Sequence, residues 1–128
     1  YDMAPQPGLY ALDIKTGEFD WRAPSVDVCH GRTFCHPGYG GAITATPDLV
    51  LAGSNDCYAR IYDSATGNVL WEADTTTDVR TVNGTMAHGG SFGGGAAPLA
   101  YKGMLILNSG YGFAGKMPGN VLLIYAVE

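Results

Sequence analysis

Between residues 27 and 41 the chain reads DVCHGRTFCHPGYGG, which sets Cys29-His30 close to Cys35-His36. Thiolate and imidazole donors at such spacing suit a zinc site, a covalently attached haem or a disulfide-closed loop. Haem attachment uses C-x-x-C-H, whereas here five residues separate the cysteines, which disfavours haem. Structural zinc sites pair their ligands across two to four residues. Cys29, His30, Cys35 and His36 could supply four ligands only from two adjacent-residue pairs, an awkward geometry, so no metal ligand is assigned. A disulfide from Cys29 to Cys35, pinning a long connection, is the reading the spacing favours. The third cysteine, Cys57, is the rival partner.

Other segments with chemical character are weaker. GGSFGGGAAP (89–98) is glycine-rich like a phosphate cradle, but it lacks the Gly-Lys-Ser/Thr ending and leads into a strand. Its glycines read more simply as allowing close backbone approach. Asn83-Gly84-Thr85 fits a glycosylation sequon, which has meaning in a secreted eukaryotic protein. Ser91, His88 and Asp56 could compose a hydrolase set, yet no nucleophile-elbow motif supports one.

What positions these residues follows from composition and from a repeat. Nineteen glycines, seven prolines, eight tyrosines and 15% charged residues favour a turn-rich β protein. A net charge of −5 with seven basic residues argues against nucleic-acid binding, which selects Lys/Arg surfaces. No apolar run approaches the roughly 20 residues needed to span a bilayer. The start at Tyr1, without a secretory-leader pattern, suggests a processed or truncated chain.

ALDIKTGEFDW (11–21) and IYDSATGNVLW (61–71) are copies at an offset of fifty residues. Asp13, Thr16, Gly17 and Trp21 recur as Asp63, Thr66, Gly67 and Trp71. Each copy reads strand, tight turn, strand: Asp bonds backbone two residues on, Gly accepts a positive φ, and Trp offers a flat face to the neighbouring repeat. A β repeat with a period of about 40 to 50 residues signals a propeller of four-stranded antiparallel blades.

On that reading residues 8–23 end one blade, 41–74 form a complete blade, and 94–127 form a final blade lacking its outer strand. Strands are expected at 42–47, 48–54, 58–63 and 68–73, then at 95–101, 103–109 and 120–127. One full and two partial blades cannot close a ring. Residues 1–128 are therefore expected to be the C-terminal segment of a longer propeller domain, whose N-terminus would supply the missing strand. The long connections 24–41 and 74–94 share a face with the Ser54–Cys57 loop and the 109–119 stretch. All three cysteines, His30, His36, His88, Arg32, Arg80, Asn83, Asp56 and Tyr111 fall on that face, where long loops on a rigid scaffold usually carry function.

The A-x-D-x-x-T-G-x-x-x-W pattern at 11–21, with its weaker copy ending at Trp71, resembles the tryptophan-docking motif of PQQ (pyrroloquinoline quinone) dependent alcohol dehydrogenases. CHGRTFCHPG (29–38), GSNDCYARIYDSATGNVLW (53–71), TVNGTMAHGGS (81–91) and NSGYGFAGKMPGNVLLIYAV (108–127) resemble, in consistent order, the C-terminal blades of polyvinyl-alcohol-dehydrogenase-like quinoproteins. The resemblance implies a ring of about eight blades, export to the periplasm or extracellular space, and PQQ with Ca²⁺ near the axis. In that chemistry Ca²⁺ polarises the quinone carbonyl, a carboxylate takes the alcohol proton, hydride passes to the quinone, and electrons leave to a cytochrome. The catalytic carboxylate and most calcium ligands belong to blades outside this stretch. Residues here that match the family pattern and face the axis are Asn55, Asp56, Asn83, His88 and Asn108, candidates for the cofactor pocket or substrate mouth. The chain departs from the usual S-x-D-G at Ser54-Asn55-Asp56-Cys57, where a thiol stands in place of glycine.

Two other functions fit the same blade motif: a non-catalytic propeller acting as a periplasmic or extracellular scaffold, and a structural subunit that kept the fold and lost PQQ. Cys/His-rich loops gathered on one face favour the enzyme over the scaffold.

Overall fold

A computed structural model describes residues 2–127, which form eleven β-strands and, among the described residues, no helix. β1 (Gly8–Leu12) and β2 (Phe19–Pro24) make a hairpin. β3 (Thr44–Ala45), β4 (Leu49–Gly53), β5 (Tyr58–Asp63) and β6 (Val69–Asp74) pair in sequence order as a four-stranded antiparallel sheet, one propeller blade. β7 (Val79–Arg80) and β8 (Met86–Ala87) form a small hairpin. β9 (Leu99–Tyr101), β10 (Met104–Ser109) and β11 (Val121–Ala126) make a three-stranded sheet with β10 in the middle.

The two copies of the repeat fold alike. The Asp13 carboxylate accepts from the N–H groups of Lys15 (2.7 Å) and Thr16 (3.2 Å), and Asp63 does the same with Ala65 (3.0 Å) and Thr66 (2.8 Å). Gly17 and Gly67 take φ of 74° and 72°, which a side chain would resist. Both hairpins shift register at the same place, between Ala11 and Leu12 and between Ile61 and Tyr62. Trp21 then covers the following turn: its Nε1–H donates to the Ser64 carbonyl at 2.8 Å, and a Cβ on Gly67 would stand 2.5 Å from its ring.

Strand alternation divides the central sheet between two cores. Leu51 and Ala59 pack with Phe92, Leu105 and Leu107 toward the last sheet, while Val50, Ala52 and Tyr62 pack with Leu9 toward the first hairpin. Trp71 joins the first of these, edge-to-face with Tyr125 at 4.9 Å.

The inner strands are shorter than the sequence suggests. The segment expected at 42–47 pairs only at Thr44–Ala45, and that expected at 95–101 only at Leu99–Tyr101. Pro47 and Pro98 have no N–H to give a ladder, and Gly41 and Gly94 meet instead in an isolated parallel bridge. The β7–β8 hairpin inside the 74–94 connection is an addition. Thr81 N–H bonds the Thr85 carbonyl at 2.9 Å, and Gly84, at φ 81°, turns the chain.

Candidate functional site

The long connections and the β4–β5 loop meet at one end of the sheets, and buried polar groups lock them together. In the β4–β5 loop, the Asp56 carboxylate is 1% exposed and accepts from Tyr58 N–H at 3.0 Å and from the Ser54 hydroxyl. Arg60 reaches it from β5, with Nη2 2.9 Å from Oδ2, and extends its Nε–H 3.0 Å to Glu72. Burial works against the Arg60 charge, but the bonds to Asp56 outweigh it and the net effect raises its pKa. Asp56 thus holds the loop to the strand. A neighbouring cleft of about 240 Å³, bordered by Ser25, Tyr39, Arg60 and Tyr62, lies in the seam between the first hairpin and the central sheet. It is lined by this structural network and not by the mouth residues.

Cys29 and Cys35 are joined by a disulfide with Cα atoms 5.5 Å apart. The loop it closes is tied down on both sides. Arg32 bonds Asp74 and Thr76, each at 3.3 Å, and His36 N–H reaches the Asn55 carbonyl at 3.5 Å. Cys57 is free, fully buried, and keeps the left-handed turn with φ 74°. Its thiol sits 3.7 Å from Ser91 Oγ and 3.6 Å from Met117 Sδ, and burial pushes its pKa up. With a thiol where the resemblance expects glycine, the left-handed turn and the Cys29–Cys35 pair are both present, and the thiol is taken up beside Ser91 Oγ and Met117 Sδ.

Ser91 is the hub of this face. Its hydroxyl donates to the Asn55 carbonyl at 2.9 Å, accepts Met117 N–H at 2.9 Å, and lies 3.3 Å from the Phe34 carbonyl. Its own carbonyl accepts from Gly110 N–H (3.1 Å) and Tyr111 N–H (2.8 Å). Zero exposure and this full set of partners make Ser91 a structural residue and not a nucleophile.

At the inner end of the blades the Gly41–Gly94 bridge brings successive connections side by side. The Tyr111 ring rests on the glycines here: a Cβ on Gly93 would fall 2.6 Å from it. Gly40 is equally hemmed in. A Cβ there would stand 2.7 Å from Asn55 Oδ1 and 2.8 Å from Lys116 Cε. Asn55 Oδ1 is buried with no hydrogen-bond donor, so this corner presents an acceptor, an ammonium and an aromatic face around close-packed glycines.

The family-pattern residues therefore separate. Asn55 lies at the inner mouth and Asp56 lies behind it in the Arg60 network. His88 is exposed, its Nδ1 2.8 Å from the Gly89 carbonyl and its backbone carbonyl bonded to Asn120 N–H at 2.9 Å. Asn83 is at the exposed tip of the β7–β8 hairpin. Asn108 is exposed on β10, out of phase with the core-facing Leu105 and Leu107. His30 and His36 are exposed on the disulfide loop. No three His, Cys, Asp or Glu side chains among the described residues are grouped to hold a metal ion. Lys116 carries no motif signal; only its place in the 109–119 stretch, as its one basic residue, could have drawn attention to it.

No family model matches the chain. Over 138 residues it is 37% identical to a polyvinylalcohol dehydrogenase of Sphingopyxis sp. (strain 113P3), a match covering 96% of this chain and 21% of that protein. A polyvinylalcohol dehydrogenase of Pseudomonas sp. is 38% identical over 136 residues, with the same two coverages of 96% and 21%. A probable quinate dehydrogenase (quinone) of Xanthomonas campestris pv. juglandis is 37% identical over 82 residues, 55% of this chain and 10% of that protein. The chain thus spans about a fifth of the length of the polyvinylalcohol dehydrogenases it matches. With docking tryptophans, four-stranded blade and sequence in agreement, the chain is similar to one segment of the polyvinylalcohol dehydrogenases and, over part of its length, to a quinate dehydrogenase (quinone).

Proposed function

We propose that the full-length protein oxidises alcohols with PQQ and Ca²⁺, and that residues 1–128 supply the C-terminal blades of its propeller. On this reading 8–23 close one blade, 41–74 make a whole blade and 94–127 make the last. The Cys29–Cys35 disulfide and the relatives' chemistry support a periplasmic or extracellular location. A cytochrome is the proposed electron acceptor.

The observation that carries the reading is the inner mouth. PQQ is a flat, carboxylate-bearing ring, and a flat ligand needs an aromatic face and polar groups at its edge. Gly41, Gly93 and Gly94 let the backbone and the Tyr111 ring pack closely, Tyr111 leaves an exposed aromatic face, and Asn55 Oδ1 stands behind it as an acceptor without a donor of its own. These residues fit the cofactor, and would orient it and exclude water from one side. When bound, the quinone accepts the hydride from the carbinol carbon. Ca²⁺ does not fit the described residues, because Asp56 is engaged by Arg60 and no acidic cluster lies beside it. Its ligands and the proton-accepting carboxylate are assigned to the rest of the full-length chain. Asn83, His88 and Asn108 would serve the outer mouth or the loops.

The test is to purify the full-length protein, add PQQ and Ca²⁺, and follow alcohol-dependent dye reduction with the quinone absorbance. Turnover on a secondary alcohol is expected. No quinone absorbance and no turnover on any alcohol would overturn the reading in favour of a non-catalytic propeller.

A further inference from the structure

The mouth contains a cation with no carboxylate of its own. Of the basic residues near it, Arg32 is held by Asp74 at 3.3 Å, and Arg60 by Asp56 at 2.9 Å and Glu72 at 3.0 Å, while Arg80, also without a salt bridge among the described residues, is exposed on β7. Lys116 forms no salt bridge among the described residues, although the chain has twelve acidic side chains and a net charge of −5. A Cβ on Gly40 would stand 3.2 Å from Lys116 Nζ and 2.7 Å from Asn55 Oδ1, so the ammonium and the orphan acceptor flank the same point. The ammonium also lies 5.9 Å from the centre of the Tyr111 ring. Lys116 is half-buried, and a partly desolvated ammonium facing only a neutral amide and a ring gains strongly from an incoming anion.

We propose that Lys116 is the carboxylate anchor of the mouth: its ammonium binds a carboxylate of a flat ligand lying against the exposed Tyr111 face beside the Gly41–Gly94 bridge. An ammonium has three donors. None of them is bonded to Asn55 Oδ1, which has no donor, so all three are free for the ligand. The inference takes its location from the reading of the mouth as a cofactor site and adds the group that selects charge. The carboxylate has two sources, the quinone cofactor or an acid-bearing alcohol. In either case Lys116 binds and orients, and no bond to it forms or breaks.

The test uses the full-length protein freed of cofactor, as wild type and as Lys116→Ala, Lys116→Gln and Lys116→Arg. Each is titrated calorimetrically with PQQ and, separately, with benzene-1,3,5-tricarboxylate, a flat anion without redox chemistry. The wild type is expected to bind both. The Ala and Gln variants should raise both dissociation constants about tenfold or more. Arg should restore most of the affinity, and the salt dependence should flatten in Lys116→Ala. If PQQ binding is unchanged while KM for a hydroxy acid, but not for a neutral alcohol, rises in Lys116→Ala, the anchor serves the substrate. Unchanged binding and unchanged KM in all three variants would overturn the anchor while leaving the quinoprotein reading intact. Binding of the tricarboxylate through Lys116 without any binding of PQQ would do the reverse. A wild type that binds neither anion and turns over no hydroxy acid overturns both.

Discussion

The indole N–H of Trp21 donates to the backbone carbonyl of Ser64, 43 residues further along the chain, at 2.8 Å. One repeat is thereby bonded to the turn of the next, and Gly67 beneath the ring is the residue that permits it.

Gly67→Ala should be far more damaging than Gly17→Ala, although both sit in the same motif at nearly the same φ. At Gly17 a methyl meets nothing within 4 Å, so only the left-handed backbone counts, about 1 kcal/mol. At Gly67 the methyl also strikes Trp21 at 2.5 Å, and overpacking brings the loss to about 3 kcal/mol. Urea midpoints of the two full-length variants compare them directly; equal losses would show that the Trp21 contact carries no constraint.

The Asp56–Arg60–Glu72 network predicts an asymmetry. Asp56→Ala leaves a buried guanidinium without its main partner and should cost about 3 to 5 kcal/mol. Glu72, whose side chain is 51% exposed, should cost less than about 1 kcal/mol on change to Gln. Chemical denaturation of both variants, with Arg60→Met/Asp56→Ala as the apolar replacement, measures the difference.

Removing the disulfide as Cys29→Ser/Cys35→Ser should lower stability by about 2 kcal/mol, the loop-closure value for so short a ring. Melting the wild type in dithiothreitol should reproduce the double variant, and the variant itself should be indifferent to reductant. A reductant effect in the variant would implicate Cys57, which the structure leaves buried and unpaired.

Acid should weaken the second repeat's turn. The Thr66 hydroxyl and the N–H groups of Thr66 and Ala65 all donate to Asp63 and hold its pKa below the ordinary 3.8. A lowered folded-state pKa adds stability that is present above the unfolded value and disappears as pH falls through the folded one. Asp63→Asn should therefore be less stable than wild type at neutral pH and indistinguishable from it well below pH 3.8. Denaturant midpoints across that range read the convergence.

The strands beyond the innermost one were legible from their sequence because they are built from local signals. The Asp-x-x-Thr-Gly turn and its flanking alternation place β5 and β6, and the apolar runs at 103–109 and 120–127 place β10 and β11, within a residue of their observed ends. The inner strands were overestimated because their pairing depends on what neighbours them, and Pro47 and Pro98 each lack the N–H a ladder needs. Two-residue strands such as Val79–Arg80 have no period to detect. At the site, spacing indicated the Cys29–Cys35 pair, but the pairing of Asp56, a candidate for the pocket or mouth, with Arg60 was not legible, because Arg60 lies on a strand whose direction only the fold reveals. Lys116 was silent for the same reason: nothing near it in sequence announces Asn55 or Gly40.

The Ser91 hydroxyl touches Phe34, Asn55 and Met117, so one small side chain ties its own connection to three others. Such connections cannot drift independently. An insertion in one must be matched in the others, and a specificity loop borrowed from a relative will seat only if its companions travel with it. The unit of inheritance on this face is the set.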